Sequence, residues 1–532
     1  MRVLVTGGSG VVGEAAVRAL LAHGHAVRLL ARHAEDDARA WPAGAGGGVE
    51  AFPGDVTDEA SIRGAGDGCD AVLHLVGSVE GDAEALRRLN VDGTRHVVAE
   101  AERAGVPRLV YVSSLGADRG ASDYHKTKFA GEAEARRFRG AWLVVRPGNV
   151  YGPGDGQVSL LLRMVRALPA IPMPGGGGDE FQPVWADDLG EALARAVERA
   201  DALAGRVLEV AGADRTSMRD LLDRFAALTD RKPARLPVPG ALATLGVRLA
   251  DLAGVDLGVN AGQLQMVAEG NVVRAPEGNA LDAVFGVAPT PLDVGLRRLL
   301  DALPEQLPDE GLGALHHKRY WADVDAPREA AAGLFDRFCR GFQEKTPGTM
   351  DLEAEPGAPT AVLACHQTVT MALPLRGTVQ VRVAELEPLT LTLQTVSGHP
   401  LAGAVRFAFA EDGAPAAGAG ARPFRFTVEV FDRAADPFDW IAMAVLGDRL
   451  QRANWERIVE RVVEDSGGRA QGGVRVEERT LEGGDAERVE RWLAELALAR
   501  RRASHAEALG VADVPAPASG PDSARAKAVG RD

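Results

Sequence analysis

Cysteine is scarce in this chain: three in 532 residues, Cys69, Cys339 and Cys365, in no metal-ligand spacing. That argues against a disulfide framework and against a thiolate zinc site, so no metal is expected, and it fits a reducing, cytoplasmic setting. The adjacent Cys365 and His366 read as strand packing rather than a ligand pair. Positive charge is also in deficit. The formal net charge is −15, with no basic block near the start and no long aromatic-basic stretch, so nucleic acid is not an expected partner. No apolar run approaches the ~18 residues of a membrane span, and the short apolar opening of MRVLVTGGSG does not make a signal peptide. What remains is 46% hydrophobic and 25% charged residues, the balance of a soluble globular protein, on a length that suggests two or three domains.

The first ~300 residues alternate short β-branched runs with longer amphipathic segments, the pattern of βαβ units on a parallel sheet. Strands are predicted at Arg2–Val5, Ala26–Leu30, Val49–Phe52, Ala71–Leu75, Arg108–Ser113 and Trp142–Arg146. Helices are predicted at Val11–His23, Asp82–Ala104 and Ser122–Arg137, with Gly24 and Gly105 at two C-caps. WPAGAGGG, from Trp41, reads as a loop without packing potential. The Pro-, Gly- and acid-rich stretch Leu300–Gly313 reads as a flexible linker. A second unit then opens with a helix over Pro327–Phe342 and continues in alternating runs at 378–396, 404–410 and 424–432. It closes on an amphipathic pattern from Pro437 to Glu464, with Phe438, Ile441, Val445 and Leu446 on one face. Glu411–Pro423 reads as a hairpin loop. Val489, Trp492, Leu493 and Leu496 give a last helix an apolar face that needs a partner. The Ala/Pro/Ser-rich tail from Val511 has the composition of a disordered segment.

The sharpest local signal is TGGSGVVG, with Gly7, Gly10 and Gly13 at three-residue spacing after a strand and at the opening of a helix. Gly7 permits the tight turn, Gly10 lets backbone N–H groups approach a pyrophosphate, and Gly13 lets helix and sheet pack closely. The helix N-terminus then holds the anion. Further on, GDVTD brings Asp55, HLVG spans His74–Gly77, NVDGT spans Asn90–Thr94, YVSSLGA is followed by YHKTK, RPGNVYGPGD spans Arg146–Asp155, and QPVWADDLGEAL spans Gln182–Leu193. In this order, over about residues 1–300, these segments resemble the short-chain dehydrogenase/reductase superfamily in its extended and atypical branches. The nearest likeness is to the group that includes the nucleotide-binding accessory subunit of respiratory complex I. The resemblance implies nucleotide contacts from Thr6, Gly7, Gly10, Val11, Val12, Gly13, Arg32, Asp55, Val56, Leu75, Gly77, Lys128 and Pro147.

At the end of the second strand, where a site for NAD carries an acid for the ribose 2′-OH, stand Ala31 and Arg32. An uncharged residue removes repulsion and a guanidinium can grip a 2′-phosphate, so NADP(H) is favoured over NAD(H). Tyr124 and Lys128 lie one helical turn apart on one face. Tyrosine is a weak base near neutral pH unless a cation favours its phenolate, and Lys128 supplies one. Ser114 ends the preceding strand and can hydrogen-bond a substrate oxygen, while Tyr124 exchanges a proton with it. By resemblance Lys128 also holds the nicotinamide ribose, and Asn90 is a fourth, structural member. The stretch LGADRGASD between Ser114 and Tyr124 is short for the extended branch, which shortens the lid over a substrate. The apolar helix and Gly-rich loop over 160–184 suit an apolar carbonyl better than a sugar nucleotide.

In the second unit, TVSGHPLAGAVRF, followed by FRFTVEVFDRAADP and a long helix, resembles a small family of uncharacterised bacterial and plant proteins with a START-like helix-grip fold. That resemblance implies an apolar cavity; a filled α+β core is equally compatible with the residues. His399 reads as a turn residue, and Trp440, Trp455 and Phe438 as helix core. The expected fold is α/β: a Rossmann-like doubly wound parallel sheet over 1–300, a linker over 301–320, an α+β domain (antiparallel sheet plus long helix) over 321–466, and a helix with a tail over 467–532. The expected function is NADP(H)-dependent hydride transfer to or from a carbonyl or hydroxyl of an apolar small molecule, with a hydrophobic-ligand domain attached and a homo-oligomer left open. Two other readings stay open: a non-catalytic nucleotide-binding structural or sensor protein, and an epimerase or dehydratase that retains NAD.

Overall fold

The computed structural model describes residues 1–79, 81–239, 271–276, 278–325, 329–345, 355, 363–373, 377–410, 424–435 and 448–511. Seven strands form the first sheet: β1 (Arg2–Thr6), β2 (Ala26–Ala31), β3 (Val49–Pro53), β4 (Ala71–His74), β5 (Arg108–Val112), β6 (Ala141–Pro147) and β7 (Val207–Val210). Every pairing is parallel, in the order β7-β6-β5-β4-β1-β2-β3. Its strands are apolar on both faces because both are covered. Val3, Val5, Leu29, Leu73, Val110 and Val145 pack against the helices α1 (Val11–Ala22) and α7 (Ala186–Glu198). Leu4, Leu30, Val72, Leu109 and Val144 face the opposite side, toward α4 (Gly93–Arg103) and α5 (Asp123–Ala135). The strand order reverses between β1 and β4, so a crevice opens at their carboxyl ends.

Other helices described here include α2 (Ala34–Arg39), α3 (Ala83–Arg87), α6 (Val158–Ala167), α8 (Met218–Thr229) and α9 (Leu292–Ala302), with a single turn at Ala280–Ala283. Gly24 and Gly105 do take positive φ, +78° and +69°, at helix ends. The helix expected over Asp82–Ala104 is interrupted: Arg88–Asp92 forms a π-turn between α3 and α4. Trp41 corrects the sequence reading of its loop. Ala40, Trp41 and Ala45 are all buried, and the Trp41 ring stacks on His505 at 3.9 Å.

The second sheet is antiparallel: β8 (Leu312–Asp325), β9 (Thr368–Leu373), β10 (Gly377–Glu387), β11 (Thr390–Thr395), β12 (Leu401–Ala410), β13 (Phe424–Ala434) and β14 (Arg469–Leu481), in the order β9-β10-β11-β12-β13-β8-β14. One face packs on α10 (Glu329–Arg340) and α11 (Asp448–Ser466). Phe338, Phe407, Phe409 and Phe426 meet there ring to ring at 4.7–6.1 Å, so rings occupy the described part of this core. Trp455 joins them 6.1 Å from Phe407. The other face receives α12 (Gly484–Ala508), whose Val489, Trp492, Leu493 and Leu496 find the partner their spacing requires in Leu315, Ala404 and Phe431. Phe438, Trp440, Ile441, Val445, Leu446, the loop 411–423 and the tail beyond Val511 lie outside the described residues. His399 is a turn residue, its Nδ1 accepting from the Leu401 amide at 3.0 Å. Cys365 and His366 precede β9 in a turn, with His366 at φ +68°, and do not pack within a strand.

The stretch read as a flexible linker is tied down along its length. Strand β8 already begins at Leu312. Arg382 on β10 is 1% exposed, pairs with Glu305 at 2.5 Å and donates to the carbonyls of Asp301 and Leu303 at 3.0 and 2.8 Å. The Gln306 amide bonds the Thr395 carbonyl, and Ser397 the Pro304 carbonyl, both at 2.8 Å. A second buried pair, Arg166–Glu355 at 2.6 Å, joins α6 to the same region, with Arg166 also donating to Gln380 on β10 at 2.9 Å. Beyond the antiparallel sheet, α12 runs on to the first unit. Arg501 pairs with Glu14 on α1, Glu495 accepts from Arg39 at 2.7 Å, and His505 Nδ1 bonds the Ala40 carbonyl at 2.9 Å.

Candidate active site

The glycine loop leaves β1 at Thr6 and enters α1 at Val11. Gly7 has φ +72°, a conformation that glycine adopts without strain. The other two glycines answer to different neighbours. A Cβ on Gly13 would strike the Gly7 carbonyl and lie 2.6 Å from Gly8 Cα, so glycine there serves the protein's own packing. Among the described residues, a Cβ on Gly10 would meet nothing nearer than 3.9 Å. Those residues do not require glycine at that position; a ligand brought up to the loop would. Among the described residues no side chain caps α1, which suits an anion bound at the N–H groups of Val11, Val12 and Gly13. We therefore expect Gly13→Ala to reduce stability measurably in a thermal melt. Gly10→Ala should leave the melting temperature within error and weaken nucleotide binding in a fluorescence titration.

Across the crevice, the loop after β4 brings Leu75 and Gly77 to the same end of the sheet, the Leu75 amide bonding the Thr6 carbonyl at 3.2 Å. A Cβ on Gly77 would lie 3.0 Å from Lys128 Nζ and 3.2 Å from Asn90 Oδ1, so these three groups are neighbours. Asn90 sits in the π-turn, which turns its side chain off the regular helical register. Its Oδ1 accepts from the Ser78 amide at 3.3 Å, and its Nδ2 donates to Thr127 on α5 at 3.0 Å. Gly131 lets α5 approach this turn closely, since a Cβ there would lie 2.5 Å from the Asn90 carbonyl.

Ser122 caps α5 by accepting from the His125 amide, and this fixes where Tyr124 and Lys128 emerge. The Tyr124 phenol is pushed up by burial and drawn down by its hydrogen bond with Ser114. Lys128 is 2% exposed, donates to the Val112 carbonyl at 2.8 Å and lies 4.7 Å over the Tyr111 ring. Burial pulls its ammonium down to about 7, against the nearby Glu132 carboxylate. Pro147, at the end of β6, adjoins Ser114: its carbonyl accepts from the Leu115 amide at 2.7 Å. Helix α5 is locked to the sheet by Glu132, whose carboxylate accepts from Arg146 at 2.7 and 2.9 Å and from Ser113 at 2.7 Å. Arg146 also pairs with Asp118 at 2.6 Å, which pins the short lid.

Arg32 and Asp55 stand at the far end of the crevice. Burial raises Asp55, but the Thr57 amide and hydroxyl, each at 2.8 Å, and the nearby Arg32 and Arg88 bring it below the usual carboxylate range. Arg32 is exposed, so its guanidinium is open to a ligand. Val56 faces inward, 3.0 Å from where a Gly93 Cβ would be, and its carbonyl accepts from His96 at 2.8 Å. The sequence-expected residues therefore gather in two groups on one crevice: Thr6, Leu75, Gly77, Asn90, Ser114, Tyr124, Lys128 and Pro147 near its centre, Arg32, Asp55 and Val56 at its end.

Two supports went unread in the sequence. Buried His74 shares Nδ1 with Thr6 Oγ1 at 2.6 Å and Nε2 with Thr94 Oγ1 at 3.1 Å, and Thr94 Oγ1 donates to the Asn90 carbonyl at 2.7 Å. This chain runs from the glycine loop to the π-turn, and burial together with Lys128 holds His74 neutral, down to about 3. Both residues fall inside quoted motif segments; only a three-dimensional contact shows that they connect. His125 is also buried, its Nε2 3.7 Å and Asn271 Oδ1 3.8 Å from where a Gly116 Cβ would be. The apolar helix 158–167, which suggested an apolar substrate, spends Val158, Leu161, Leu162 and Val165 on a core with α8 and α9.

A region 38% identical over 188 residues is found in sterol demethylase protein B of Methylococcus capsulatus, covering 31% of this chain and 56% of that protein. Ceramide reductase of Caulobacter vibrioides is 34% identical over 173 residues, covering 32% and 53%. The chain thus spans little more than half the length of these two relatives. The solved dTDP-glucose 4,6-dehydratase of Streptomyces venezuelae aligns over 56% of this chain and 96% of its own at 21% identity and a TM-score of 0.44. Residues 3–211, which carry the glycine loop, Asn90, Ser114, Tyr124 and Lys128, match the model of the NAD dependent epimerase/dehydratase family.

Proposed function

We propose that the protein is an NADP(H)-dependent reductase of an apolar carbonyl compound. The observation that carries this reading is the convergence of Ser114, Tyr124, Lys128 and Asn90 on a crevice whose glycine loop has room at Gly10 and none at Gly13. The same loop is the test of fit for a dinucleotide: Val11, Val12 and Gly13 amides for the pyrophosphate, Asp55 and Val56 for the adenine end, Lys128 for the inner ribose. When bound, the nicotinamide supplies or accepts the hydride. The chain's residues handle the oxygen and its proton. Ser114 donates to the substrate oxygen and orients it. Tyr124, kept protonated by burial, is the acid that delivers a proton to that oxygen, a role suited to reduction. Lys128 takes over the charge balance beside it, and Asn90 holds the π-turn against α5.

The apolar substrate is supported by the relatives' names, a sterol demethylase protein and a ceramide reductase. In the same reading residues 1–300 and 321–466 are two units, the second adjoining α6. NADP(H) is favoured because Arg32 is exposed and Arg88 stands with it beside Asp55. Titration with NADPH and NADH is expected to show tighter NADPH binding, and Arg32→Ala should shrink the ratio about tenfold to a hundredfold, the worth of a charge-assisted contact of ~1.5–3 kcal/mol. Equal affinities in the unaltered protein would favour the reading in which NAD is retained for epimerase or dehydratase chemistry.

A further inference from the structure

At the amino ends of the strands, away from the crevice, two histidines and two glutamates meet between α1 and α7. His23 caps the C-terminus of α1, and Gly24 turns the chain at φ +78°, so that His25 comes just before β2. Glu191 and Glu198 lie two helical turns apart on α7. Glu198 Oε1 is 2.9 Å from His23 Nδ1 and 2.9 Å from His25 Nε2. All three donor atoms fall within 4.8 Å of one another.

We propose that His23, His25 and Glu198 form a binding site for a divalent transition metal of the zinc class. Two imidazoles and one carboxylate suit such an ion, whereas magnesium and calcium prefer all-oxygen sites. With Zn–N and Zn–O bonds of about 2.0–2.2 Å, tetrahedral donors stand about 3.4 Å apart, so loading must open the two 2.9 Å spacings by about half an ångström and bring the two imidazole nitrogens, now within 4.8 Å, to the same separation. The outer contact of His23 is the one a metal-bound histidine uses, whereas His25 Nδ1 faces the Met1 amino group at 3.4 Å, which turns aside when the ion binds. His23 directs its other nitrogen, Nε2, to Glu191 Oε2 at 3.1 Å, and Glu191 is held by Arg195 Nε at 2.7 Å. A carboxylate behind a histidine fixes its tautomer and orients its lone pair. The scaffold is stiff as well: a Cβ on Gly190 of α7 would lie 2.5 Å from the Ala15 carbonyl carbon, so α1 and α7 are in close backbone contact. Side-chain exposures of 25%, 11% and 34% for His23, His25 and Glu198 leave an entry path and a fourth position for water. Placed at the end of the sheet opposite the glycine loop, the ion would staple the α1–β2 turn to α7 and take no part in hydride transfer.

The test is zinc titration of the chelator-stripped full-length protein against a chromophoric competitor, with a thermal melt on the same samples. The expected result is one zinc per chain, a melting temperature that rises with zinc but not with magnesium, and a dissociation constant raised at least tenfold by His25→Ala and by Glu198→Ala. Glu191→Gln should weaken binding about tenfold as an orienting residue. Cys365→Ser, which removes an exposed thiol elsewhere, should change nothing. Comparing zinc-free melts of each variant with the parent separates loss of the site from loss of fold. The proposal is overturned if no saturable binding is found, if binding survives the His25→Ala/Glu198→Ala double variant, or if it is lost with Cys365→Ser.

Discussion

Tyr124→Phe is expected to abolish carbonyl reduction while leaving NADPH binding within about twofold of the parent. The substitution removes one oxygen and keeps the ring, so packing around α5 is preserved. It removes the phenol proposed as proton donor, which burial keeps neutral beside Ser114. General acid catalysis contributes about 10²–10⁴-fold, and turnover in a carbonyl panel, followed by nicotinamide absorbance, should fall by that factor. Lys128→Met should behave differently. Its ammonium lies against Gly77, Asn90 and the Val112 carbonyl, so its loss should raise the nucleotide dissociation constant as well as lower turnover. Unchanged turnover in Tyr124→Phe would show that the proton travels by another residue.

Arg382→Met is expected to cost about 3–5 kcal/mol, the penalty for breaking a buried ion pair from one side. The guanidinium is fully buried and satisfies Glu305 and the carbonyls of Asp301 and Leu303 together. Without it, Arg500 at 3.6 Å is the cation left near Glu305 among the described residues. Burial pushes the Glu305 carboxyl up, but Arg382 and Arg500 bring it below its ordinary value. The parent therefore holds this stabilisation above the unfolded value of ~4.3 and loses it as pH falls through the lower folded value. In Arg382→Met the carboxylate is poorly compensated, so the deficit against the parent should narrow on acidification. Differential scanning calorimetry at neutral and at acid pH checks both statements. A second effect should appear in the same traces, because Arg382 ties the antiparallel sheet to the segment leaving α9: one transition should separate into two.

Six of the seven parallel strands were legible because they are apolar runs between glycine caps and amphipathic helices, a signal that survives without tertiary context; the short edge strand β7 was not read. The glycine loop was legible for a related reason, since Gly7 and Gly13 answer to local backbone geometry. Strands β8 and β14 were not. β8 carries Lys318 and Asp323 inward, and each is neutralised across the sheet, by Asp432 at 3.5 Å and Arg425 at 2.7 Å. Those partners are more than a hundred residues away, so the alternation reads as polar when taken alone. β14 is an edge strand with exposed Arg475, Glu477 and Glu478, a charge pattern that protects an edge and hides the strand. In the candidate site, residue types and spacings gave Ser114, Tyr124 and Lys128. The π-turn at Asn90 and the Thr6–His74–Thr94 chain depend on how α4, α5 and β4 pack, which no spacing encodes.

Helix α12 also has a consequence for how the chain is made. Ala40 and Trp41 are covered by His505, 465 positions after Ala40, and Asp37, between them and the glycine loop, accepts from Ser9 with Arg501 nearby. During synthesis the first sheet can assemble long before these partners leave the ribosome. Until they do, the face of the Trp41 ring that stacks on His505 is uncovered, and Glu14 and Asp37 lack Arg501. A nascent or cleaved chain ending near residue 300 would thus keep its glycine loop but carry an open, apolar flank beside it, a surface for chaperones to grasp. The last turns of α12 complete the flank of the helix that the glycine loop opens.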